Sequence, residues 1–323
     1  INFRSVRARQ QIFHQVFLSD TGFLHLPGSE ISPIRAALLR HRQQVLEILR
    51  THIRDTTALG LAEAILVGYR TDLQEEISAA YARTGVMHVV AISGMHLSLI
   101  FSIFLAAFRL LPSYGRNPWL SLIVAVPAIW WFSLLTGASA SVMRSAVMSS
   151  LPVMGAILHR RTEGRNILCA SAMLLLAFRP GWLWDTGFQL SYAAVLGILL
   201  YQKKLQAMLP IRHPAAKSLW SLVSVTLAAQ VFTTPLVIFY FRQFPLLFLF
   251  SNLLAVPLSS LILLATLLLC GVSWMPAAAA KAGALSEYLV RMLNAFILRM
   301  DGVPFSVIHH LYIDLPILGM LFG

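Results

Sequence analysis

The chain has 323 residues, 58% of them hydrophobic and only 12% charged, and its formal net charge is +12. Soluble domains run near half apolar and a quarter charged, so this balance excludes an ordinary soluble protein and indicates repeated membrane crossing. Cys169 and Cys270 both lie in apolar runs without metal-type spacing, which excludes a disulfide framework and a cysteine zinc site.

The sequence opens on a basic, polar stretch, N-F-R-S-V-R-A-R-Q-Q, and stops inside an apolar run, as a piece of a longer protein would. Residues 11–26 read as two short strands around a turn at 19–22, the last hairpin of a β domain. From Pro33 the pattern turns helical. Ile34, Leu38, Val45 and Leu49 share one side, with Arg35, Arg40, Arg42, Arg50 and Arg54 interspersed, as in a helix lying on a membrane surface. A second apolar helical piece covers 59–69, and Asp72 with Glu75 predicts the cap of a helix ending near 84–85. Residues 31–85 are therefore read as amphipathic, interfacial helices.

A transmembrane domain is expected over 86–323. Its candidate spans are 86–110, 119–135, 137–158, 165–178, 182–201 and 219–240. The run 246–274 suits one kinked helix or a broken pair; 285–299 is amphipathic, and 315–322 is a short last piece. The predicted fold class is an all-α polytopic membrane protein, a bundle of roughly 8–10 spanning or half-spanning helices with a short extracytoplasmic N-terminal α/β remnant.

Basic loops at 159–165 and 202–217 are separated by two spans, so both are expected in the cytoplasm, which puts 1–85 outside. With that orientation His88, Ser93, Gly94 and His96 fall in the outer half of the first span. Ser141 and Arg144 fall in the third, Asp185 and Gln189 in the fifth, Gln230 and Thr233 in the sixth, and Asn252 and Pro257 in the seventh. Polar groups collected at one depth of an apolar bundle line a water-filled vestibule if they face one another. Each has a plainer reading: the histidines as core groups, Ser141, Ser145 and Ser149 as a close-packing face, Arg144 with Asp185 as an ion pair between helices. Trp184, Phe188 and Tyr192 read as interface anchors, or as stacking faces for bases.

The chain has no Walker loop, no H-E-x-x-H and no carboxylate cluster, so no metal, no cofactor and no nucleotide-driven step is expected of it. The block H-V-V-A-I-S-G-M-H-L-S (88–98) resembles the H-L-L-A-I-S-G-L-H signature of the ComEC family of competence proteins. Three further blocks agree in order: L-T-G-A-S-A-S-V-M-R-S-A-V-M (135–148), W-D-T-G-F-Q-L-S-Y-A-A-V-L-G-I (184–198) and F-P-L-L-F-L-F-S-N-L-L-A-V-P-L (244–258). L-V-G-Y-R (66–70) is similar to the family's L-x-G-x-R element, whereas Met95, Leu97 and Ala140 depart from its usual Leu, Val and Pro.

The resemblance implies a channel of the bacterial inner membrane that passes single-stranded DNA into the cytoplasm during natural transformation. It implies single-stranded DNA, the lipid bilayer, a DNA receptor and cytoplasmic DNA-handling competence proteins as partners, with monomer and homodimer both open. It also implies that 1–30 is the tail of an extracytoplasmic OB-like β domain, and a non-enzymatic core, any nuclease residing in a domain that this chain does not include. Two other classes compete. An intramembrane serine hydrolase would use Ser93 with His88 or His96 as base, and a small-solute transporter would use broken helices around Pro235 and Pro257.

Overall fold

The computed structural model describes residues 32–90, 92–109, 119, 121–304, 306–309 and 311; the hairpin expected at 11–26 and the piece at 315–322 lie outside them. Helix α1, Pro33–His52, starts where Ser32 accepts the amide of Arg35 and Pro33 fills the first helical position. Helix α2, Thr56–Val67, is capped by the Asp55 carboxylate, which accepts from the Ala58 amide at 2.9 Å, and stops at Gly68 in a left-handed conformation. This helix is apolar nearly all round and buried nearly all round, as that composition requires. Its one acid, Glu63, is wholly buried and held by Arg50 at 2.9 Å. Burial pushes the Glu63 carboxyl above the usual carboxylate range, outweighing the pull of the Arg50 hydrogen bond and charge.

The cap expected from Asp72 and Glu75 does not form. Asp72 turns to Arg50 at 2.8 Å, and Gln74 stands at the N-cap of helix α3, Glu75–Arg83, with no side-chain bond. A guanidinium offers a carboxylate a charge-assisted partner, stronger than a neutral amide.

The span expected over 86–110 is two pieces, a single turn α4, Met87–Val90, and helix α5, Gly94–Arg109. A π-helical turn, Ser121–Ala125, runs into α6, Val126–Leu135. Then come α7 (Ala140–Ile157), α8 (Gly164–Phe178), a 3₁₀ turn (Pro180–Trp184), α9 (Thr186–Met208) and α10 (Pro214–Phe241). The apolar run 246–274 is one helix, α11, Phe248–Gly271, with Pro257 inside it. The hydroxyls of Ser259 and Ser260 both donate to the Val256 carbonyl, at 2.9 and 3.0 Å, back-bonding within their own helix. Helix α12, Pro276–Asp301, completes the set.

The fold is thus all-α and of the membrane class: among the described residues α7, α10 and α11 are long and apolar enough to cross a bilayer. The main core joins α1, α2, α3 and α4 to α11 and α12, so the helices of 31–85 pack into the body of the molecule. A second cluster joins α5, α6 and α7, and a third joins α7, α8 and α9. Helices α9 and α10 form a hairpin along each other, and most of the apolar surface of α10 is left uncovered by protein.

One feature was not visible in the pattern. Strand β1, Gln243–Pro245, pairs antiparallel with β2, Val307–His309, tying the turn before α11 to the stretch after α12. Arg83 adds a two-pronged bond to Asp301, 2.7 and 2.6 Å, from α3 to the end of α12. Gly85 sits under this corner with φ at 78°, and a Cβ there would lie 2.7 Å from Pro245 Cγ. Gly85→Ala is therefore expected to cost about 1–3 kcal/mol, strain and overpacking together, and to lower the melting temperature in detergent. An unchanged melting temperature would contradict this packing.

Candidate functional site

Helix α5 opens at the point where the sequence is least suited to hydrocarbon. Ser93 Oγ accepts the His96 amide at 3.4 Å and the Ser93 carbonyl accepts the Leu97 amide at 3.2 Å, so Ser93 caps the helix. Gly94 follows because α7 is pressed against this turn: a Cβ there would run into Ser145 Oγ and lie 2.8 Å from Arg144 Nη2.

His96 is fully buried, with Nε2 3.2 Å from Ser259 Oγ on α11. Ser259 gives its single hydroxyl proton to the Val256 carbonyl, so His96 is the donor and the serine oxygen accepts. The lone pair of His96 Nδ1 is then left inside the protein with no partner. His88, one turn-length piece earlier on α4, is exposed while Val86, Val89 and Val90 around it are completely buried.

Arg144 is 6% exposed. Its Nη1 lies 3.4 Å from the Met148 sulfur, its Nη2 3.4 Å from Ser145 Oγ, and its Nε has no partner. The ring of Tyr192 is 5.7 Å from its guanidinium carbon. Tyr192 in turn bonds Ser171 on α8 at 2.9 Å, and Ser141 meets Ser191 on α9 at 3.2 Å. A polar seam thus runs from Ser259 on α11 through α5 and α7 to α9 and α8.

Five of the residues singled out in the sequence meet in this seam: Ser93, Gly94, His96, Ser141 and Arg144. Others are placed elsewhere. Asp185 is exposed and caps α9, accepting the Phe188 amide at 2.8 Å, so the ion pair with Arg144 expected from shared depth is not made. Gln189 donates to the Leu183 carbonyl at 2.8 Å and accepts from Tyr240 at 2.7 Å, bonding α9 to α10. Gln230 accepts from Thr233 and Thr234 along its own helix. Asn252 is buried with Oδ1 unpartnered, and Pro257 is exposed; both share α11 with Ser259 without a described bond to the seam.

The sequence reading missed Ser259, although two serines directly after V-P-L are a polar signal inside an otherwise apolar run. The bond a serine hydrolase needs is not formed among the described residues: the His96 ring turns to Ser259, and only its backbone amide reaches Ser93. No group of three or more metal-ligating side chains occurs among them either. A recess of about 540 Å³ near Phe250, Phe296 and Met300 is lined by apolar side chains alone and suits hydrocarbon rather than chemistry.

A family model described as "Competence protein" matches residues 65–322. ComE operon protein 3 of Bacillus subtilis (strain 168) is 31% identical over 216 residues, 65% of this chain and 26% of that protein. Competence protein ComA of Neisseria gonorrhoeae is 28% identical over 254 residues, 73% of this chain and 33% of that protein. Recombination protein 2 of Haemophilus influenzae (strain ATCC 51907 / DSM 11121 / KW20 / Rd) is 24% identical over 237 residues, 70% of this chain and 30% of that protein. The matches thus span a quarter to a third of the length of these curated relatives. No solved structure matches the chain.

Because Ser259 is the acceptor for a buried imidazole N–H, Ser259→Ala is expected to lower stability by about 1–3 kcal/mol. In a His96→Leu background the same change costs less, since no donor is left stranded. Thermal unfolding of the four proteins in detergent measures the difference, and equal costs in both backgrounds would dismiss the bond.

Proposed function

We propose that this chain, which belongs to the competence protein family, forms the path by which single-stranded DNA crosses the bacterial inner membrane into the cytoplasm. The observation that carries the reading is the polar seam of α5, α7, α8, α9 and α11, held inside helices that are otherwise apolar. A strand with one charge per nucleotide cannot enter hydrocarbon. It needs donors and acceptors that replace water, and a lining that binds loosely enough for the strand to leave.

Hydroxyls, imidazoles and a single arginine suit that better than a basic groove, whose counterion release would hold the strand fast. His88 offers the accessible face of the path, and His96 and Arg144 its deeper wall. Gln189, Gln230, Thr233, Asn252 and Pro257 extend it along α9, α10 and α11. Within the reading, 1–30 is the tail of an extracytoplasmic domain, 31–85 its bridge and 86–323 the conducting part. A DNA receptor outside and DNA-handling proteins inside are the partners such a path requires. The chain itself conducts rather than cleaves.

The test is import of labelled DNA in cells carrying the full protein with His88→Leu or His96→Leu. Nuclease-protected label in the cytoplasm is expected to fall below about a tenth of wild type while surface-bound DNA stays unchanged, as loss of a required polar contact predicts. Leu268→Ala, on a half-exposed apolar position of α11, should import normally. Normal import by a well-expressed double histidine variant would reject the path through this seam.

A further inference from the structure

We propose that the start of α5 and the Arg144 guanidinium together form a binding station for one phosphate group, which under the channel reading is a phosphodiester of the passing strand. The proposal deepens that reading and takes its ligand from it.

Two positive features meet here with nothing negative between them. Helix α5 is 16 residues long and presents the positive end of its dipole at Gly94. Arg144 reaches that end from α7, its Nη2 only 2.8 Å from where a Gly94 Cβ would stand. A cation at a helix N-terminus is repelled, and a buried one without a counterion is costly. Yet no carboxylate among the described residues pairs with Arg144: the described ion pairs occupy Arg50, Arg83, Arg165 and Arg291.

The guanidinium is 94% buried and cannot lose its proton to escape the conflict. Its described contacts are a thioether, a hydroxyl and a ring face, which leave Nε and part of its donor fork unused. A bound anion resolves all of this at once.

The donor set selects phosphate. A planar fork matches two oxygens of a tetrahedral oxyanion, and helix N-terminal amides take another. The Ser93 hydroxyl stands at the same turn, Ser145 gives its proton to the Ser141 carbonyl and accepts from Arg144, and the bare Gly94 lets the guanidinium come up to the helix end. One arginine also sets the strength: a single charge contact orients a phosphate without trapping a polymer.

The experiment uses the full protein in nanodiscs of zwitterionic lipid, with a fluorescent oligothymidylate titrated across salt concentrations. Arg144→Gln is expected to weaken binding about tenfold and to make the slope of log affinity against log salt shallower by about 0.7, one single-strand phosphate contact. Arg161→Gln, on the basic loop after α7, serves as the control for a contact outside the station. A methylphosphonate oligonucleotide, lacking the charge, should not distinguish Arg144→Gln from wild type, and inorganic phosphate should compete with the charged oligonucleotide on wild type alone. Gly94→Ala, which forces Ser145 and Arg144 away from the helix end, should weaken binding in the same direction. Should Arg144→Gln fail to fold, Gly94→Ala and phosphate competition on wild type decide the matter.

An unchanged affinity and slope in a monodisperse Arg144→Gln protein, or equal binding of charged and uncharged oligonucleotides by wild type, overturns the station. The channel reading is judged separately by import: cells that lack this chain and still take labelled DNA into the cytoplasm would refute it whatever the oligonucleotide does.

Discussion

The contact between the first turn of α5 and the face of α7 governs the centre of this molecule. Gly94 has no side chain, so Ser145 and Arg144 come against the helix backbone itself. Because α5 starts there, His96 is aimed at Ser259 on α11, and α7 presents its other polar side to Ser191 and Tyr192 on α9. A methyl group at residue 94 would push apart the elements that meet at this point. The interruption of the chain between α4 and α5 is thus a packing requirement as well as a break in the ladder.

The surrounding architecture divides into two parts. Helices α1 to α4 are held to α11 and α12 by a continuous apolar core, by Arg83 with Asp301, by Tyr81 with Asn294, and by the β1–β2 pair. The α9–α10 hairpin meets the rest through the apolar cluster of Phe188 with Ala140, Val147 and Leu175, and through Ser141 with Ser191, Arg144 with Tyr192, and Tyr192 with Ser171. The polar seam runs between these two parts, from Ser259 on α11 to Tyr192 on α9 and Ser171 on α8.

Much of this was legible from residues alone. The apolar runs marked where most of the helices lie, closely for 137–158 and 165–178 and less so for 285–299, which is part of a helix over Pro276–Asp301, and four motif blocks marked the family. Burying histidine, serine and glycine in the first long run pointed to protein contact rather than lipid, and Gly94 and His96 meet that expectation at α7 and α11. What the pattern could not supply was direction around each helix. Shared depth put Arg144 beside Asp185, but Asp185 begins a helix and spends its carboxylate on the Phe188 amide. Gln230 lies in a span with little burial, and local bonds to Thr233 and Thr234 answer its polarity without any partner across the bundle. Ser259 went unnoticed because a serine inside a helix can bond back to its own carbonyls, and its second role depends on a helix far away in sequence. Strands of three residues leave no periodicity to detect.

Helix α10 carries one more consequence. At 28 residues it is roughly 42 Å long, against a hydrocarbon layer of about 30 Å. An element that long either inclines or lifts its first turns, which hold Lys217, into the headgroup region. With Tyr240 fastened to Gln189, any change of inclination carries α9 with it. Bilayer thickness thus enters as a mechanical variable: a thicker membrane stands the hairpin upright, a thinner one lays it down, and the contacts of Tyr192 with Arg144 and Ser171 bear the change.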